Sequence, residues 1–240
     1  MQQATHLLEV ERLDAAYGRA QVLFGVSLRL ERGETVALMG RNGAGKSTTL
    51  KAIMGLLPAQ AGSIRFAGRN IKDLPTFRIA RLGLGYVPED RRIFTDLSVF
   101  ENLEVGSRAL RQPGRRRWTP ERLFSIFPNL AEMRGRPAGQ MSGGEQQMLS
   151  IARTLMGNPE AILLDEPTEG LAPIIVEQMV AAVQRMKAEG IAVLLCEQNL
   201  NFATAVADRA YLIAKGAVRH EAPMADVAGD AALREAHLGV

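Results

Sequence analysis

The run Gly40-Arg41-Asn42-Gly43-Ala44-Gly45-Lys46-Ser47-Thr48 sets glycines, a lysine and two hydroxyls at the spacing G-x-x-x-x-G-K-[ST]. Those residue types at that spacing are suited to holding phosphate. Glycines let the backbone curl until successive N–H groups and a helix N-terminus converge on anionic oxygens. Lys46 is expected to reach the β- and γ-phosphates of a nucleotide, and the Ser47 hydroxyl to sit on Mg²⁺. The flanks agree with this reading. Thr35 to Met39 is apolar enough for a buried strand, and Thr49 to Met54 reads as a first helix closed by Gly55 and Pro58. An ordinary glycine-rich turn would not require that strand and that helix.

A second constellation is Ala161-Ile162-Leu163-Leu164-Asp165-Glu166-Pro167, an apolar strand that ends in adjacent carboxylates. In open α/β sheets, ligands bind at the carboxyl ends of the strands. Asp165 there can hold Mg²⁺ through water, while Glu166, one residue on, points elsewhere and can orient or deprotonate an attacking water. An isolated Asp-Glu pair would read as a polar strand end capping the next turn; the phosphate loop upstream favours the catalytic reading.

Between the two lies Met141-Ser142-Gly143-Gly144-Glu145-Gln146-Gln147. Ser-x-x-Glu is a capping box, with Ser142 accepting from the N3 amide and Glu145 reaching back. Two glycines in the first turn cost roughly 1 kcal/mol each relative to alanine, which capping alone does not explain. They make sense where a ligand approaches the backbone closely. Bare amides at a helix N-terminus form a second phosphate site, and the chain already has its first. The economical arrangement is two subunits, each completing the other's ATP site.

Positioning these groups takes an alternating architecture. Short strands are expected at Leu8 to Leu13, Leu23 to Leu30, Thr35 to Met39 and Ser63 to Phe66, then a helix near Ile71 to Ala80 and a strand at Leu84 to Pro88. From Val99 to Leu155 the pattern turns helical and basic. It then returns to strand (Ala161 to Leu164), helix (Val176 to Met186), strand (Ile191 to Cys196), helix (Asn201 to Asp208) and strand (Ala210 to Ala214), ending in a turn at Lys215-Gly216. Alternation of this kind implies an α/β fold with a mostly parallel sheet covered on both faces.

The bulk composition fits. The chain has 240 residues, 47% of them hydrophobic, and a formal charge of +3, too weak to argue for nucleic acid. Arg108, Arg111, Arg115, Arg116 and Arg117 crowd one stretch that reads as a solvated loop. Cys196, the only cysteine, excludes an intrachain disulfide and reads as core, and the three histidines are scattered without metal-ligand spacing. With no apolar run long enough for a membrane span and no signal-peptide pattern at the start, a soluble cytosolic protein is expected.

The order phosphate loop, Ser142-Gly143-Gly144-Glu145, then Leu164-Asp165-Glu166-Pro167 resembles the ATP-binding subunit of ABC transporters across nearly the whole chain. The resemblance implies a P-loop NTPase (RecA-like) fold carrying an N-terminal antiparallel β subdomain and an inserted helical subdomain. It implies one ATPase domain over 1–240, with 1–88 and 156–240 as nucleotide-binding core and 89–155 as the helical part. It also implies ATP hydrolysis with Mg²⁺, with Tyr17 stacking on adenine. The expected partners are a second ATP-binding subunit, two integral membrane permeases and, indirectly, a substrate-binding protein. No nucleic acid is expected, and the chain would lie on the inner face of the plasma membrane.

Several positions depart from the commonest family residues. Glu89 stands where a glutamine usually contacts Mg²⁺ and the attacking water, Glu145 replaces the glutamine ending the signature, and Ala172 replaces an aspartate. Gln198 occupies the position of the histidine that touches the γ-phosphate. An amide still donates a hydrogen bond there but cannot become cationic. The runs Val87 to Phe94, Pro167 to Pro173 and Glu197-Gln198-Asn199 resemble one of the two ATPase subunits of branched-chain amino-acid importers, with Asp90 where a glycine is usual. That narrower likeness implies a heterodimer whose sister subunit supplies a histidine. Urea or short-amide uptake, a non-transport ATPase of the same family and a regulatory nucleotide-binding module are the alternatives.

Overall fold

The computed structural model describes residues 6–109 and 117–239. Two sheets form its frame. Strands β1 (Leu8–Tyr17), β2 (Ala20–Leu30), β4 (Ala59–Phe66) and β5 (Arg69–Asn70) make an antiparallel sheet in the order β2-β1-β4-β5. Strands β3 (Thr35–Met39), β6 (Leu84–Val87), β7 (Ala161–Asp165), β8 (Ala192–Glu197), β9 (Arg209–Ala214) and β10 (Ala217–Pro223) make the second, in the order β10-β9-β3-β8-β7-β6. In this second sheet β9, β3, β8, β7 and β6 run parallel, and only β10 is antiparallel to its neighbour.

Every residue of β3, β7 and β8 is buried, the pattern of strands covered on both faces. Side chains alternate along a strand, so these three divide their residues between two cores. Ala37, Met39, Ile162, Leu164, Val193 and Leu195 pack into the helical side. Val36, Leu38, Leu163, Leu194 and Cys196 pack against the antiparallel sheet and helix α1 (Lys46–Ile53).

The other helices are α2 (Thr76–Arg81), α3 (Val99–Gly106), α4 (Pro120–Ile126), α5 (Pro128–Glu132), α6 (Gly143–Leu155), α7 (Pro173–Ala188), α8 (Leu200–Val206), α9 (Met224–Gly229) and α10 (Ala231–His237). Between β6 and β7 the described residues form helices and loops without a strand. α6 carries the hydrophobic face expected of Met148, Ile151, Ala152 and Leu155, all buried.

The antiparallel sheet is tied to the phosphate loop at Gly216, in the β9–β10 turn. Its N–H donates to Ala44 O at 2.9 Å and its O accepts from Phe24 N at 2.8 Å. A Cβ on Gly216 would lie 1.8 Å from Val22 O, at a φ of +74°, so only glycine lets β2 and the loop meet there.

The structure alters several expected elements. The helix near Ile71 to Ala80 begins only at Thr76, because Pro75 takes an extended conformation and Asp73 a left-handed one. Strand β10 was not expected. It is an exposed edge whose residues show no apolar alternation, so its sequence carries no periodic signal. Of the arginine-rich stretch, Arg117 Nη2 donates to Ser107 Oγ at 2.9 Å, and Arg108 is exposed. Arg111, Arg115 and Arg116 lie outside the described residues. Cys196 is buried in β8, and burial pushes its thiol well above the ordinary value, as a core residue requires. Among the described residues no helix is long and apolar enough to cross a membrane.

Candidate functional site

β3 delivers the chain to Gly40, and the turn that follows closes on Gly45, whose φ of 110° makes it the left-handed N-cap of α1. That turn wraps the backbone around the Lys46 ammonium. Lys46 Nζ donates to Gly40 O at 2.8 Å and Arg41 O at 3.3 Å, and it pairs with Glu166 Oε1 at 3.0 Å. Thr49 Oγ1 anchors the first helical turn on Gly45 O at 2.9 Å.

Strand β7, parallel to β3 and separated from it by β8, ends in Asp165, and Glu166 takes a left-handed φ of 46°. That sharp turn separates the two carboxylates. Asp165 Oδ2 accepts from Tyr86 Oη at 3.1 Å, while the buried Oδ1 has no hydrogen-bond partner among the described residues. Burial raises the Asp165 carboxyl above its ordinary range, against the opposing pull of the Ser47 and Tyr86 hydroxyls beside it. A buried carboxylate oxygen without a partner, next to a hydroxyl of the phosphate loop, fits a hard divalent cation well, because such ions take oxygen ligands. Glu89 is exposed on the loop after β6 and faces the same space.

β8 contributes Gln198 from just beyond its end. The Gln198 Nε2 donates to Asn42 Oδ1 at 2.5 Å and to Glu166 Oε2 at 3.1 Å, bridging the phosphate loop and the carboxylate. Its place is held by Glu197, which is buried and accepts on both oxygens. Thr168 N and Oγ1 donate to Oε1 at 3.1 and 2.6 Å, and the Gln198 and Asn199 amides donate to Oε2 at 3.0 Å each. Burial raises the Glu197 carboxyl, and these hydrogen bonds offset part of that rise.

Around these groups is a cavity of about 530 Å³ lined by Gly43, Lys46, Ser47, Glu89, Glu166 and Glu169, among others. Gly40 and Ala44 are buried behind the loop, and Asn42 and Thr48 complete the cavity wall. Tyr17 is 49% exposed at the end of β1 and does not line the cavity; the following strand does, through Val22. Ser142, Gly143, Gly144 and Glu145 do not line it either. They start α6 with a complete capping box, in which Glu145 N donates to Ser142 Oγ at 3.4 Å and Ser142 N to Glu145 Oε2 at 2.7 Å. Tyr86, Glu169 and Glu197 belong to the site but were not singled out as site residues. Their one sequence signal was a polar group at or just after the end of an apolar strand.

A glycine loop between a parallel strand and a helix, beside a strand tipped with carboxylates, defines a P-loop nucleotide hydrolase. The family model described as ABC transporter matches residues 23–169, and the chain belongs to this family. It is an ATP-binding, ATP-hydrolysing subunit of a transporter. It is 41% identical over 233 residues to the high-affinity branched-chain amino acid transport ATP-binding protein BraG of Pseudomonas aeruginosa, covering 97% of this chain and 100% of that protein. It is 34% identical to the lipopolysaccharide export system ATP-binding protein LptB of Escherichia coli strain K12, covering 97% of each. Among solved structures, a nucleotide-free ATP-binding cassette from an ABC transporter matches with a TM-score of 0.80 at 27% identity, covering 96% of this chain and 98% of that one. The ADP conformation of another such cassette matches at 0.79 and 28% identity, covering 97% and 98%.

Proposed function

We propose that the chain powers uptake of branched-chain amino acids, hydrolysing ATP as one of two ATP-binding subunits beneath separate permeases. The observation that carries the hydrolytic part is the convergence of Lys46, Glu166 and Gln198 from the ends of three adjacent parallel strands. The cargo rests on the full-length likeness to BraG, which exceeds that to LptB.

In this reading Lys46 engages the β- and γ-phosphates, the phosphate-loop amides cradle them, and Tyr17 stacks on adenine. Ser47, Asp165 and Glu89 would hold Mg²⁺, which when bound neutralises charge on the phosphate oxygens. Glu166 accepts a proton from the attacking water. Gln198 turns its N–H from Asn42 and Glu166 toward the γ-phosphate, so the transition state meets an uncharged donor instead of an imidazole. Ser142, Gly143 and Gly144 of each subunit face the γ-phosphate held by the other, with Glu145 fixing that helix start. ATP therefore favours the closed pair, and hydrolysis releases it, which is the differential affinity a switch needs. Residues 89–155 act as the helical lobe that transmits closure.

The permease has a suitable seat. A groove of about 420 Å³ runs between α2 and β6 on one side and α3 and α6 on the other, lined by Leu56, Tyr86, Phe94, Val105 and Arg153. Leu56, Phe94 and Val105 are exposed there, so an apolar segment of a permease would cover them.

The test is a pull-down of tagged chain from gently solubilised membranes, with partner identification and ATPase assay of the recovered complex. Two permeases, a histidine-bearing sister ATPase and leucine-stimulated turnover in the presence of the cognate binding protein are expected. Recovery with lipopolysaccharide-export components, or with soluble partners alone, refutes the cargo or the transport reading respectively.

A further inference from the structure

Helix α2 presents a different chemistry on each side. Ile79 is buried in the core, and Thr76 and Ala80 line the groove read above as the permease seat. Arg78, Arg81 and Leu82 line a separate pocket of about 520 Å³, together with Arg69, Asn70 and Leu74. Local hydrogen bonds shape that pocket. Strand β5 ends at Asn70, whose Oδ1 accepts from Lys72 N at 3.0 Å, and Leu74 N donates to Ile71 O at 3.1 Å. The chain therefore turns tightly from the sheet edge into Pro75 and α2. Arg69 stands opposite buried Phe66 in the β4–β5 ladder, so it leaves the sheet on the core face, beside the helix.

Three guanidiniums, an amide and two half-buried leucines line this pocket, and no carboxylate does. Among the described residues Arg69, Arg78 and Arg81 take part in no ion pair. Residues 69–82 set Arg69, Lys72, Arg78 and Arg81 against one carboxylate, Asp73, a net +3 that equals the charge of the whole chain. The helix dipole accounts for Arg78 and Arg81, which lie in the last turn of α2, but not for Arg69, which comes from another element. Guanidiniums match the planar, bidentate geometry of phosphate oxygens. Phe77 is 54% exposed, one turn ahead of Arg81, whose guanidinium lies 5.5 Å from its ring centroid. An exposed aromatic ring beside cations suits the boundary between headgroups and acyl chains.

We propose that the β5–α2 pocket binds the phosphate of an anionic phospholipid, so that the chain touches the bilayer directly as well as through its permease. Arg69, Arg78 and Arg81 take the headgroup phosphate, and Phe77 enters the boundary beside it. A cavity of this size lies within the usual range for small-ligand sites, about 300–1,000 Å³. The pocket and the permease groove share α2, so a permease segment seated in one brings the other toward the membrane that holds it. That orientation rests on the reading of the groove as the permease seat; the charge of the pocket does not.

The experiment measures partition of the full chain, without permeases, onto phosphatidylcholine vesicles with and without phosphatidylglycerol. Binding only to the anionic vesicles, weakened by salt, is expected. Each basic side chain at an anionic surface is worth about fivefold in affinity, so replacing Arg69, Arg78 and Arg81 together by Gln should weaken partition roughly a hundredfold. All three are exposed, so the thermal midpoint and ATP affinity should stay at wild-type values. A control with Arg115 and Arg116 replaced by Gln should keep most of the binding. Equal partition of the triple variant and wild type, loss confined to the control, or no binding to anionic vesicles each overturns the proposal. Inorganic phosphate that releases the chain where chloride of equal ionic strength does not would assign the pocket to a free phosphate and also overturn it. Because no permease is present, failure here leaves the transporter reading standing, whereas vesicle binding with no permease in the membrane pull-down fails that reading alone.

Discussion

Replacing Lys46 by Met should destabilise the fold far more than loss of a surface lysine, because it strands a buried carboxylate. The side chains of Lys46 and Glu166 are only 3% and 8% exposed, with Nζ and Oε1 3.0 Å apart. At that separation and an effective dielectric near 20, two unit charges attract by about 5 kcal/mol before desolvation is counted. Removing one partner of such a pair typically costs about 3–5 kcal/mol. Gln198 remains on Glu166 and offsets a part of this. Glu166→Gln is milder, about 1–2 kcal/mol, because Lys46 keeps its carbonyl partners Gly40 and Arg41 and gains an amide oxygen. The double variant has neither charge to strand, so its cost should fall short of the sum by about 2–3 kcal/mol. Urea unfolding of the four proteins, without nucleotide, measures this coupling. For a chain of 240 residues the Lys46→Met loss corresponds to a thermal midpoint lowered by roughly 6–20 °C. Single effects that add within about 0.5 kcal/mol would show that the two side chains do not interact, and the argument from burial would fail.

Two substitutions in the phosphate loop should part company for geometric reasons. A Cβ on Gly40 would lie 2.3 Å from the backbone oxygen of Ile213, so Gly40→Ala must displace β9 or the loop and should abolish nucleotide binding by fluorescence titration; Gly43→Ala meets nothing within 4 Å and bears only its φ of +78°, a cost of about 1–2 kcal/mol with binding retained. Asp165→Asn should raise the thermal midpoint at neutral pH while eliminating Mg²⁺-dependent turnover, with Asn keeping an acceptor for Tyr86. The sign follows from the raised carboxyl: the native state holds its proton more tightly than the unfolded chain, so this group's stabilisation is present below the ordinary value of 3.8 and lost as pH rises through the native value. The advantage of Asn should therefore shrink in acid, and a lower midpoint at pH 7 refutes the assignment of burial as the dominant cause.

Residues 40–48 and 161–167 were legible because their chemistry is local. A loop that cradles phosphate needs glycines and a lysine in one short run, and a buried parallel strand needs an unbroken apolar stretch ahead of its polar tip. Ser142 and Glu145 were legible for the same reason, since a capping box closes within one helical turn. Strand β10 was not legible, because an exposed edge strand has no buried face to pattern. The onset of α2 moved to Thr76 because a proline and a left-handed aspartate decided it against the apolar spacing.

The amino-acid sequence by itself determined a glycine loop carrying Lys46 and Ser47 between a strand and a helix, adjacent carboxylates at Asp165 and Glu166, and the elements of an α/β ATPase. Only the tertiary structure decided what those groups meet. Gln198 reaches both Asn42 and Glu166, Glu197 braces that turn through its four hydrogen bonds, and Tyr86 holds Asp165. These contacts join residues far apart in the chain, and no local pattern encodes them. They follow from strand order, which sets β3 between β8 and β9 and β7 beside β8 and so gathers their ends at one place.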